Sequence, residues 1–158
     1  MPQLLVSVEG VQVKHLHLTK DRTTLGRKSG NDIVLDNAAV SGQHCVFELR
    51  GLAGEAARMA FGGQAVAPWV HRREGEGADA AHAVGLYPAD GRERALWLAP
   101  AGTPLPAGAA LDTETWQWGA VRSGVATVTA AIVEAFVPQM LNYESVDGVN
   151  FKKGCYPG

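Results

Sequence analysis

The first third of the chain alternates hydrophobic and polar residues over short stretches, which predicts a series of β-strands. Apolar or β-branched runs lie at residues 4–8, 11–18, 23–26, 32–35 and 44–49. Alternation with a period of two residues is the pattern of a strand with one buried face. Gly10, Asp21, Gly30 and Asp36 fall between the runs, and residues of these types favour turns. The spacing is typical of an all-β sandwich.

The pattern changes near residue 50. Residues 54–61 are rich in alanine and bounded by glycines, which predicts a short helix. Residues 81–88 and 94–100 flank Asp90 and Gly91, a pair that favours a β-hairpin. The fold class predicted for the whole chain is therefore α+β, with a half-β-sandwich at residues 1–49 and a mixed α+β region at 50–158.

The remaining segments give weaker patterns. Residues 99–111 contain three prolines, which exclude a central strand or a long helix. Residues 115–125 alternate in part, so Trp116 and Trp118 have strand spacing and are expected in the core. Residues 130–144 predict a short helix with a break before Pro138.

Composition narrows the classes of function. Of the 158 residues 46% are apolar and 19% charged, as in an ordinary soluble protein, and the formal net charge is −2. With no global basic field, direct nucleic-acid binding is not expected. The sequence has no uninterrupted run of about 18 apolar residues, so no membrane span is predicted. The start of the chain does not resemble a signal peptide, and only two cysteines occur, so we expect a cytoplasmic protein with reduced thiols.

One group of spaced residues in the first region carries a family resemblance. Residues 23–49 contain Gly26-Arg27, then Asn31-Asp32-Ile33, then Val40-Ser41 with His44 three positions after the serine. This pattern resembles the first half of a forkhead-associated (FHA) domain. The resemblance implies a β-sandwich that binds phosphothreonine in a partner protein. Arg27 could make charge-assisted bonds to the phosphate and Ser41 could donate its hydroxyl, while His44 would brace the loop that holds Ser41.

The alternative is that these residues form ordinary solvated turns, in which arginine, serine and asparagine are common. The sequence also departs from the family pattern. Gly42 stands where a basic residue often follows the serine, and the second half of the FHA pattern is not found after residue 49.

A second group of residues lies at the end of the chain. The matching residues are Phe136, Pro138, Gln139, Asn142, Lys153, Gly154, Cys155, Tyr156 and Gly158. They resemble the signature of YgfZ-type folate-binding proteins, relatives of the aminomethyltransferase of glycine cleavage. Trp118, Arg122 and Gly124 extend the resemblance upstream, so that it covers residues 47–158. The resemblance implies tetrahydrofolate as the ligand and a role in iron–sulfur maintenance and tRNA modification, with iron–sulfur proteins as client proteins. No established turnover reaction comes with this family, so the resemblance does not favour an enzyme.

The chemistry of the same residues fits that role. Adjacent lysines favour the thiolate of Cys155, the residue on which function would depend. Tyr156 could stack on a pterin, while Lys153 and Arg122 could contact an anionic folate tail. Gly154, Gln139 and Asn142 complete the predicted folate site. The alternative is a buried and inert cysteine on a glycine turn.

The two resemblances meet in residues 44–57, which suggests a join between two unrelated fragments, with the chain ending inside the YgfZ signature. Three hypotheses follow: a folate-binding protein acting through Cys155, a phosphothreonine-binding module, or an incomplete chimera without activity. No metal site is predicted, because Cys155, His71 and His82 lack the spacing of metal ligands.

Overall fold

The computed structural model describes residues 3–8, 11–18, 20–150 and 152. The strands are β1 (Gln3–Val8), β2 (Val11–His17), β3 (Arg22–Gly26), β4 (Ile33–Val34), β5 (Cys45–Ala53), β6 (His71–Glu74), β7 (Ala81–Ala89) and β8 (Arg92–Pro100). The α-helices are α1 (Glu55–Ala60) and α2 (Thr113–Arg122). Short 3-10 turns occupy Gly77–Asp79, Ala130–Ile132, Pro138–Leu141 and Tyr143–Val146.

The strands form two sheets. Strands β1 and β2 pair antiparallel from Gln3 opposite His17 to Val8 opposite Val11, with a shift of register between Val6 and Ser7. The other six lie in the order β4-β3-β5-β8-β7-β6. Strand β3 pairs in parallel with β4 and antiparallel with β5. The loops that follow β3 and precede β5 therefore emerge at the same end of this strand pair.

The chain divides into two compact units. The first comprises residues 1–51, 71–83 and 96–105, and the second comprises 52–70, 84–95 and 106–158. The buried residues of the first unit include Leu18, Thr23, Ile33, Ala80, Ala83, Trp97 and Ala99. Those of the second include Leu52, Ala56, Ala57, Ala60, Phe61, Val66, Ala89, Arg94, Ala95, Val146 and Val149. Arg94 is the exception in this set, because it carries a charge.

The predicted α+β class is confirmed. The five early strands lie close to their predicted positions, and helix α1 falls within residues 54–61. Asp90 and Gly91 connect β7 to β8 with φ angles of 49° and 73°. Two successive positive φ values define the type I′ turn that suits a two-residue hairpin, so the Asp-Gly signal was sufficient to predict it.

The partial alternation at residues 115–125 is misleading, because this segment forms helix α2. Asp112 accepts a hydrogen bond from the backbone N–H of Thr115 at 2.7 Å and caps the helix. Gly124, at φ 73°, follows its end. The expected strand is therefore wrong for both tryptophans, and the expected core position is also wrong for Trp118, which is 61% exposed. The capping signal outweighs an alternation that spans only a few residues.

The region of the predicted join lies largely within one strand, because β5 continues without interruption from Cys45 to Ala53. Residues 130–144 form 3-10 turns in place of the predicted short helix, with extended backbone at Val137 before Pro138. The division at residues 49 and 50 stays a prediction.

Candidate functional site

Two loops of the first unit lie side by side where β3 ends and β5 begins. Arg27 donates its backbone N–H to the carbonyl oxygen of Ser41 at 2.9 Å, and Lys28 donates to that of Gly42 at 3.1 Å. We call residues 27–32 and 40–44 the paired loops. These backbone bonds place Arg27 and Ser41 next to each other although 14 positions separate them in the sequence.

Asn31 locks the paired loops together. Its side-chain Nδ2 donates to the carbonyl oxygens of Lys28 and Gly42, each at 2.8 Å. Gly26 permits this approach, since a Cβ there would lie 2.4 Å from the Gly42 oxygen and 2.7 Å from Asn31 Nδ2. Asn31 and Gly26 both belong to the sequence pattern. The bond that Asn31 makes between the loops, and the space that Gly26 leaves for it, depend on contacts between separate segments and were not predicted.

The three residues predicted to serve a phosphate site lie together on the paired loops. Arg27, Ser41 and His44 are all exposed. Nδ1 of His44 accepts a hydrogen bond from the backbone N–H of Ser41 at 3.3 Å. The imidazole thus supports the backbone of the serine, and the guanidinium and hydroxyl face solvent.

A second cation belongs to the same surface. Lys28 lies over Gly42, where a Cβ would be 3.0 Å from its Cε and 3.2 Å from its Cδ. Gly42 is the position at which the FHA pattern often has a basic residue. The stem of Lys28 occupies the space beside that position, so a charge reaches it from the neighbouring loop.

The nearest acidic side chain of the paired loops is held by other groups. Asp32 accepts hydrogen bonds from the backbone N–H and the hydroxyl of Thr24, both at 2.9 Å, and pairs with Lys20. The bond from Lys20 and those from Thr24 hold the pKa of this carboxyl well below its usual range. Its charge is therefore satisfied locally, which leaves the exposed cations of Arg27 and Lys28 available to an anion.

Beside the paired loops lies a cavity of about 210 Å³, lined by Thr24, Asn31, Gln43, His44, Cys45 and Val46. Cys45 is a free and exposed cysteine. Partial desolvation raises the pKa of its thiol above the ordinary value. Less thiolate forms as a result, so Cys45 is a poor nucleophile.

The described part of the predicted folate site is divided between helix α2 and the later turns. Arg122 ends α2, and its Nε donates to the two carboxylate oxygens of Asp90 at 2.9 and 3.1 Å. Its guanidinium also lies 5.9 Å from the ring centre of Trp118. Gln139 lies in the 3-10 turn Pro138–Leu141. Asn142 has a φ of 57° and accepts a hydrogen bond from the Ser145 hydroxyl at 2.9 Å.

The signature residues Lys153, Gly154, Cys155 and Tyr156 lie outside the described residues. Their predicted roles in folate binding and reactivity stay predictions.

Comparisons with known proteins support both resemblances over parts of the chain. The FHA domain family matches residues 23–57, a segment that includes the paired loops. The tRNA-modifying protein YgfZ of Photobacterium profundum is 38% identical over 47 residues, which are 30% of this chain and 14% of that protein. The same protein of Serratia proteamaculans is 36% identical over 47 residues, with the same coverage.

The match thus spans about one seventh of the length of the curated relatives. No solved structure matches the chain. Both resemblances inferred from the sequence are confirmed, each over only part of the chain.

The described residues contain neither a membrane span nor a metal cluster. None of their helices is long and apolar enough to cross a membrane. In the same ranges no group of three or more histidine, cysteine or acidic side chains is arranged to hold a metal ion.

Proposed function

We propose that the paired loops bind a phosphothreonine side chain of a partner protein. The observation that carries this proposal is the double hydrogen bond of Asn31, which fixes two loops so that Arg27 and Ser41 are adjacent and exposed. Binding then requires little ordering of the backbone, which lowers its entropic cost.

Each side chain has a distinct task. The Arg27 guanidinium matches two oxygens of a phosphate through parallel N–H bonds. The Ser41 hydroxyl donates to the third oxygen, and the Lys28 ammonium adds a point charge from above Gly42. His44 keeps the Ser41 backbone in place and has no direct contact with the ligand.

The test is a library of phosphothreonine peptides with matched unphosphorylated peptides, read by the dissociation constant. The best binder should lose about tenfold or more in affinity in Arg27→Ala and in Ser41→Ala, because each removes a hydrogen bond to a charged group. Arg22→Ala is the matched control, since Arg22 is also exposed and lies at the opposite end of β3. A library with no binder, or a binder indifferent to Arg27→Ala, would refute the proposal.

The second candidate is a cytoplasmic, YgfZ-like protein that binds tetrahydrofolate and acts in iron–sulfur maintenance and tRNA modification through Cys155. The similarity to proteins named tRNA-modifying protein YgfZ favours it. Cys155→Ala should then abolish complementation of a strain that lacks its own YgfZ. Cys45→Ala is the control, because Cys45 lies outside the YgfZ-like signature and its raised pKa disfavours the thiolate. Equal complementation by both variants would remove this candidate.

A further inference from the structure

A cavity of about 280 Å³ lies within the second unit, against helix α2. Small-molecule pockets commonly have about 300–1,000 Å³, so this one suits a compact ligand. Its lining is Ala53, Ala89, Asp90, Arg92, Arg94, Leu111, Thr115, Trp116, Trp118 and Gly119. Half of these residues are apolar or aromatic, and two are arginines.

Arg94 is the unusual residue of this lining. It lies on β8 and is only 5% exposed. Its guanidinium carbon lies 4.3 Å from the ring centre of Trp116. Among the described residues no carboxylate forms an ion pair with it. Burial lowers the pKa of Arg94.

The acidic residue of the lining does not supply the missing charge. Asp90 forms its ion pair with Arg122, whose Nε contacts both carboxylate oxygens. Arg92 adds a second positive charge and is exposed. The cavity is thus positive overall, and its one buried cation has an aromatic face on one side and no counter-ion among the residues that the structure describes. A buried charge is costly unless it is paired, so the arrangement lacks an anion.

We propose that this cavity binds a small organic anion, a carboxylate on a flat apolar body, and that Arg94 receives the carboxylate. A guanidinium offers two parallel N–H donors in the plane that a carboxylate accepts. One buried cation balances one negative charge, which favours a monocarboxylate over a phosphate. Ala53, Ala89 and Leu111 provide apolar surface for the body of the ligand. This site is independent of the paired loops.

The first test uses 4-fluorobenzoate and the full chain, with binding read from the fluorine NMR signal. We expect saturable binding below about 10 mM, and about tenfold weaker binding for the neutral 4-fluorobenzamide. Phenyl phosphate is the third probe and should bind no better than 4-fluorobenzoate. Absence of saturation, equal binding of the amide, or a clear preference for phenyl phosphate would each overturn the assignment of a monocarboxylate site.

Variants then locate the site. Arg94→Met should weaken 4-fluorobenzoate binding about tenfold or more, whereas Arg22→Met, the same change at an exposed arginine outside the cavity lining, should alter it by less than about threefold. Equal loss in the two variants would refute the role of Arg94. Arg94→Met should remain folded, since it removes an unpaired charge and retains an apolar stem.

A measurement on the unaltered chain does not depend on the folding of a variant. The Arg94 side-chain Nε–H and the Gly119 backbone amide should be among the NMR signals that shift most with 4-fluorobenzoate, because a Cβ at Gly119 would lie only 3.4 Å from Arg94 Nε. Shifts confined to the paired loops would contradict the proposal and would point to an anion at the phosphothreonine site.

Discussion

Replacement of Asn31 by alanine tests whether one side chain holds the paired loops together. The change removes two hydrogen bonds from Nδ2, each of 2.8 Å, to the carbonyl oxygens of Lys28 and Gly42. A typical intramolecular hydrogen bond contributes about 1 kcal/mol to stability, so the free energy of unfolding should fall by about 2 kcal/mol. For a chain of this size, that loss lowers the thermal midpoint by about 4–8 °C.

The control is Asn37→Ala. Asn37 is an exposed asparagine, and its side-chain Oδ1 accepts a hydrogen bond from the nearby backbone N–H of Ala39, at 2.8 Å. This variant loses one bond within a single turn, which should cost about 1 kcal/mol or less. Asn31→Asp is a sharper test, because it keeps the shape of the side chain and replaces the NH₂ donor by an acceptor facing two carbonyl oxygens.

The assay is equilibrium unfolding in urea, followed by binding of the best phosphothreonine peptide. We expect Asn31→Asp to be at least as destabilising as Asn31→Ala, and both to weaken peptide binding more than Asn37→Ala does. If Asn31→Ala costs no more than Asn37→Ala, the loops are held by their backbone bonds alone and the reasoning is wrong.

Two further predictions concern other elements. Asp112→Ala should lower the helical circular dichroism at 222 nm and the thermal midpoint, because it removes the cap from α2; Thr129→Ala is the control, since Thr129 precedes a 3-10 turn and makes no capping side-chain bond. His82 stacks on His71 with Nδ1 3.0 Å from Nε2 of that ring, and burial, then His71 and Arg73, lower its pKa. Below the ordinary pKa of 6.5 the folded state therefore binds fewer protons than the unfolded chain, so the free energy of unfolding should decrease as the pH is lowered through this range. His82→Gln should make the free energy of unfolding, measured by urea titration, less dependent on pH. An unchanged slope in His82→Gln would contradict the assignment.

The sequence was most informative where local chemistry decides the backbone. Asp90 and Gly91 predict the hairpin because few other residues adopt two positive φ angles. Helix α2 was equally predictable from Asp112, Thr115 and Gly124, but an alternation of two tryptophans obscured these end signals. Such an alternation carries little weight over a few residues, since a helix also brings neighbouring positions onto different faces.

The site chemistry was predictable only in part. Arg27, Ser41 and His44 follow from a spaced pattern, whereas the bridge made by Asn31 requires that two loops meet. Arg94 gave no signal, because an arginine in an alternating strand is expected at the surface. Arg94 is buried because α2 packs against it, and the spacing of Trp116 and Trp118 had indicated a strand where α2 forms.

Gly119 links the fold of α2 to the proposed anion site. It lies inside the helix, where glycine costs about 1 kcal/mol relative to alanine. A Cβ there would lie 3.4 Å from Arg94 Nε and 3.8 Å from the Ala89 Cβ, which are ordinary van der Waals distances, so a methyl group fits. Gly119→Ala should therefore raise the free energy of unfolding by up to about 1 kcal/mol and weaken 4-fluorobenzoate binding, because the added methyl narrows the space beside Arg94. Ala120→Gly on the same helix should lower stability without this effect on binding. If Gly119→Ala instead destabilises the chain, the glycine is required for packing, and its presence gives no support to a ligand beside Arg94.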